Sequence, residues 1–206
     1  MIIEIIKAML VGICAAAPVG PVLILVIQKT LCHGRDAGMM TGLGSAVADT
    51  VYATVGLLAL SLIEDFVKSH SGMIMIIGGV LVGLIGAGVF FRKVSIRQAD
   101  SGKKVSLIGC SLQSCGSALS NPAALAVMIA LLAMFGLYAG KTEAPVWLLA
   151  AGVMAGELLY WRLIVNVLSR FVKLKEDVLQ IVSRVSGAVI FCFGIFLIIK
   201  GIVSLI

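Results

Sequence analysis

Apolar stretches separated by short polar breaks run the whole length of this chain. Six can be marked, at residues 3–28, 37–63, 73–91, 107–135, 144–168 and 178–202. A helix needs about 20 mostly apolar residues to cross the hydrocarbon layer of a bilayer. The pattern therefore predicts an all-α membrane protein with six transmembrane helices and little chain left for a soluble domain. The first stretch is long, is interrupted by Pro18 and Pro21, and lacks the basic start and cleavage site of a signal peptide. It is expected to stay in the protein.

Composition removes the water-soluble alternatives. Hydrophobic residues make up 61% of the 206, charged residues 13%, and mean hydropathy is +1.16, which leaves too little polar surface to clothe a soluble globule. The net charge of +6 does not indicate a nucleic-acid partner, because the basic residues fall in the breaks between apolar stretches. Three breaks that share one side of a six-crossing chain carry Lys29 and Arg35; Arg92, Lys93, Arg97, Lys103 and Lys104; and Arg170, Lys173 and Lys175. The other side has Lys7, Lys68 and Lys141, with Lys200 in the last stretch. The rich side is expected to be cytoplasmic and both termini outside. No zinc, haem or nucleotide motif and no hydrolytic triad is present, so neither a metal, a cofactor nor an enzyme activity is expected.

The two halves repeat one another. Pro21 corresponds to Pro122, Asp49-x2-Tyr52 to Glu157-x2-Tyr160, and Ser71-Gly72-x6-Gly79 to Ser186-Gly187-x6-Gly194. The repeat divides the chain into a first three-helix unit (1–91), a basic cytoplasmic linker (92–106) and a second three-helix unit (107–206). A unit with three crossings re-enters from the opposite face when copied, so the expectation is an inverted repeat, a plan common among transporters. Glycines one turn apart, at Gly34, Gly38 and Gly42, Gly79 and Gly83, and Gly152 and Gly156, predict close helix contacts.

Asp49 and Glu157 are the candidate functional residues. A charge at the bilayer centre costs roughly 2.5 to 3.5 kcal/mol on insertion scales, and acids that persist there mark ion or substrate pathways and proton relays. Both are candidates for a coupling proton or a substrate ammonium. Pro18, Gly20 and Pro21 should break the first helix, and Asn121 and Pro122 the fourth, because proline removes a backbone donor and clashes with the preceding turn. Broken helices expose N–H groups that suit a carboxylate. A zwitterionic amino acid matches such a site at both ends. Tyr52 and Tyr160, one turn beyond the acids, are placed to donate to them or to fill space. Arg162, five residues after Glu157, points roughly 140° away from it on the same helix.

Ala17-Pro18-Val19-Gly20-Pro21-Val22-Leu23, then Leu25-Val26-Ile27-Gln28-Lys29 and Gly34-Arg35-x-Ala37-Gly38-x3-Gly42-Leu43-Gly44-x3-Ala48-Asp49-x2-Tyr52-Ala53, resemble the amino-terminal signature of the LysE (lysine exporter) family of bacterial amino-acid exporters. Leu119-Ser120-Asn121-Pro122-Ala123-Ala124 is similar to that family's asparagine-proline motif. The resemblance implies an oligomeric exporter of amino acids or related small molecules in the bacterial cytoplasmic membrane, driven by the proton gradient or membrane potential. It does not name the substrate.

A rival reading uses the cysteines. Cys14 lies seven residues before Pro21 and Cys115 seven before Pro122, so the repeat would bring two thiols to equivalent places, as in membrane thiol-disulfide electron carriers. Neither sits in a Cys-x2-Cys setting. The five cysteines, with Cys32, Cys110 and Cys192, lie mostly in apolar stretches and read as reduced packing residues.

Overall fold

Two prolines decide how the apolar stretches become helices. The computed structural model describes residues 1–17, 20–62, 71–91, 106–137, 142–170 and 176–203. Among them are eight helices: α1 (Ile2–Ala16), α2 (Pro21–His33), α3 (Arg35–Leu62), α4 (Ser71–Phe91), α5 (Leu107–Leu119), α6 (Pro122–Met134), α7 (Val146–Arg170) and α8 (Glu176–Val203). Pro18 lies outside the described residues, and so does the expected linker apart from Ser106. Most described residues of all six apolar stretches are helical. The first and fourth are broken outright, into α1 and α2 bent by 79° and into α5 and α6 bent by 74°. By length and apolarity α3 and α7 can each cross a membrane, and each bent pair can if its halves count as one span, giving two to four candidate crossings among the described residues.

The two breaks are finished differently. Gly20 is extended (φ −104°, ψ −176°) and caps α2, whose first residue is Pro21, a position where the missing N–H is not needed. At the second break the Ser120 hydroxyl donates to the Gly116 carbonyl at 2.7 Å, and the Asn121 N–H donates to that of Ala118 at 3.0 Å. The Tyr52 hydroxyl on α3 donates to the Leu119 carbonyl at 2.7 Å. The Gly116, Ala118 and Leu119 carbonyls at the end of α5 are thereby satisfied, as a low-dielectric setting demands. Gly136, with φ +66°, ends α6 in a turn where the Leu137 N–H reaches the Leu132 carbonyl at 2.8 Å.

The long helix α3 is turned inside out relative to a helix of a soluble protein. Its outward stripe is Val47, Val51, Val55, Leu58 and Leu62, while Thr41, Ser45 and Asp49 are buried. Thr41, Thr50 and Thr54 return their hydroxyls to carbonyls four residues back, at 2.7, 2.6 and 2.8 Å. An apolar outer face around a polar inner one is what lipid surroundings favour.

The helix contacts are nearly unchanged when the first four helices are exchanged with the last four. α1 packs on α7 as α5 packs on α3, α1 on α6 as α5 on α2, and α2 on α7 as α6 on α3, while α3·α7 and α4·α8 map onto themselves. α2·α3, and the slighter α4·α6 and α5·α6, have no counterpart of similar extent. The α4·α8 pair is antiparallel and joined by glycines: Gly72 faces Gly201, Gly79 faces Gly194 and Gly86 faces Gly187. A methyl group on Gly79 would lie 2.7 Å from the Gly194 carbonyl oxygen, so these backbones touch directly.

Two predictions follow from this packing. Gly194→Val drives a side chain into the α4 backbone at Gly79 and Gly83, and should cost about 1 to 3 kcal/mol, read as a lower melting temperature of the purified protein. Gly78→Ala, which meets nothing within 4 Å, should leave melting within about 0.5 kcal/mol of wild type. Separately, Tyr52→Phe should cost about 1 kcal/mol in the same assay, because the end of α5 loses its donor.

Candidate functional site

Asp49 and Glu157 meet at the crossing of α3 and α7. One face of α3 presents Gly42, Ser45 and Asp49 at helical spacing, and each has a role toward α7. The Ser45 hydroxyl donates to Glu157 Oε1 at 3.0 Å, and Trp161 Nε1–H, one turn along α7, donates to the same oxygen at 3.1 Å. Gly42 makes room for the indole: a methyl group there would sit 2.7 Å from the Trp161 ring. The Asp49 carboxyl lies beside both Ser45 and Glu157, close enough for the two acids to interact directly. On the far side of α7, Gly12 lets the α1 backbone close on Val153 and Glu157.

Both donors reach Oε1, and Glu157 Oε2 is buried without one. Two neighbouring carboxyl groups can bond each other only through a shared proton, since two carboxylates offer only acceptors and repel. Oε2 is the Glu157 oxygen left to take part. The acids sit between two apolar clusters. One is built from residues such as Val11, Leu57, Leu132 and Val153, the other from Leu23, Val26, Trp161 and Val165.

A cavity of about 310 Å³ opens beside Asp49. Gly20, Pro21, Val22 and Leu23 from the first break line it, as do Ala118, Asn121, Ala124 and Val127 around the second. Ser45 and Asp49 of α3, Ala15 and Ala16 of α1, Trp161 of α7, and Ile85 and Gly88 of α4 complete its described wall. Both helix breaks and one acid thus face the same space. No side chain caps the first turn of α2, so its backbone donors remain at that wall.

The expected site residues separate into groups. Asp49, Gly20, Pro21 and Asn121 line the cavity. Glu157 does not: it is fully buried behind Asp49, which is 8% exposed. Pro122 opens α6, and Pro18 is outside the described residues. Tyr52 spends its hydroxyl on α5 instead of on an acid. Tyr160 packs with the second apolar cluster, edge-on to Trp161 at 5.2 Å and 72°. Arg162 is exposed, with no acid in ion-pair distance among the described residues. Cys14 and Cys115 are free thiols that do not line the cavity. No cluster of metal-ligating residues occurs among the described residues. Ser45 and Trp161, which hold Glu157, escaped the sequence reading. Their signal was there, since each carries a donor four residues from an acid on the same helix.

Comparison with known proteins identifies a family. Residues 13–201 match the model of the LysE type translocator family. The chain is 27% identical over 202 residues to the uncharacterized membrane protein YahN of Escherichia coli (strain K12), covering 89% of this chain and 83% of that protein. No solved structure matches. With most of its length matched, the chain belongs to the LysE type translocator family.

Proposed function

We propose that this protein is a secondary exporter of amino acids or related small metabolites across the bacterial cytoplasmic membrane. The observation that carries this reading is the convergence of two helix breaks and Asp49 on one cavity. The uncapped start of α2 offers backbone donors to a carboxylate, and Asp49 offers an anion to an ammonium. Asn121, beside the start of α6, adds a polar group at the same wall.

Coupling in this scheme runs through the Asp49–Glu157 contact. An ammonium that arrives at Asp49 competes with the proton held between the two acids, so binding substrate releases a proton and binding a proton releases substrate. Asp49 is the ligand, and Glu157 is the partner that keeps the proton until substrate arrives and gives it up then, without itself touching the substrate. Ser45 and Trp161 hold Glu157 in place. The path fits the proton gradient as the driving force.

The chain in this scheme crosses the membrane six times as two inverted three-helix units, 1–91 and 107–206, joined by the basic segment 92–106. The exchange symmetry of the helix contacts supports this, and so does the start of α1 beside the start of α7, where Glu4 accepts from the Glu143 and Ala144 N–H groups at 3.0 Å each. Two helices that begin on one face suit an odd number of crossings between them. The distribution of Lys and Arg then puts that face, and both termini, outside.

The test is transport of labelled amino acids by the protein in liposomes, under an imposed pH gradient and in exchange without one. Asp49→Asn should abolish both modes, down to the level of empty liposomes. Glu157→Gln should retain exchange while losing at least about tenfold of the gradient-driven rate, since only the proton-retaining acid is changed. Unchanged gradient-driven transport in both variants would remove the mechanism.

A further inference from the structure

The lining of the cavity also limits the side chain of the substrate, given the exporter reading above. Asp49 is the only ionisable residue among the described lining, and no lysine, arginine or histidine joins it. The second acid is out of reach: Glu157 is fully buried, and its Oε1 already accepts from Ser45 and Trp161 at 3.0 and 3.1 Å. One accessible carboxylate can pair with one ammonium. If the α-ammonium takes Asp49, a basic side chain has no partner left, and an acidic side chain meets a like charge with no cation beside it. A charged group enclosed without a partner is strongly disfavoured.

The rest of the wall favours apolar contact. Ala15, Ala16, Leu23, Ile85, Ala124 and Val127 present aliphatic groups from four helices. The volume of about 310 Å³ is at the small end of ligand cavities. We propose that the transported substrate is a neutral α-amino acid with an aliphatic side chain, whose ammonium sits on Asp49 and whose side chain lies against α1, α4 and α6.

The experiment is counterflow of labelled leucine into liposomes carrying the full-length protein, with valine, lysine and glutamate as competitors. Valine should compete at concentrations similar to leucine, and lysine and glutamate should be weaker by about tenfold or more. A Val127→Glu variant adds a second carboxylate to the wall, and should weaken leucine exchange while making lysine a competitor. Should that variant fail to fold, the wild-type competition decides by itself. Lysine or glutamate competing as well as valine would overturn the aliphatic assignment and leave the amino-acid exporter standing. Failure of every amino acid to exchange would overturn the exporter reading and this one together.

Discussion

The contact between the carboxyls of Asp49 and Glu157 governs the arrangement around it. They come from opposite halves of the chain and meet where little water can reach them. In such surroundings two negative charges repel far more strongly than in solution. The neighbouring residues make the encounter tolerable. Ser45 and Trp161 donate to one oxygen, Gly42 gives the indole its space, and Gly12 and Gly156 bring α1 against α7 close enough to shut solvent out. The apolar clusters on either side keep the pair at the waist of the molecule.

The breaks in the two bent pairs are the second constraint, and they solve a different problem. A membrane helix ordinarily consumes its own backbone donors and acceptors, which leaves nothing for a ligand. Interrupting it frees those groups, at the cost of carbonyls that must be satisfied elsewhere. On the α5 side Tyr52, Ser120 and the Asn121 N–H accept that task. On the α2 side the proline at the first position needs no donor, and Gly20 leaves the cap open. The result is polar backbone beside Ser45, Asp49 and Asn121 at a cavity wall that is otherwise mostly apolar.

Much of this could be read from the sequence because it follows from local rules. The apolar stretches became helices close to their expected bounds, since chain length and side-chain polarity alone fix them. The breaks fell at Pro21 and Pro122 because proline chemistry acts within one turn. Asp49 and Glu157 stood out because charge in an apolar run is costly wherever it occurs. The division of labour between them was hidden. Both acids have the same setting in one dimension, and only the crossing of α3 and α7 puts Glu157 behind Asp49. Tyr52 was similarly misleading: it lies a turn from Asp49 along α3, yet its hydroxyl extends to another helix. Ile85 and Gly88 at the cavity wall had no local signal at all, as their place depends on how α4 docks.

The docking of α4 carries a mechanical consequence. Three facing glycine pairs put the backbones of α4 and α8 in direct contact. The remaining attachment of α4 to the other helices is slight, chiefly toward α6. Any movement of Ile85 and Gly88 that widened or narrowed the chamber would therefore have to take α8 with it, making the two helices one mechanical unit.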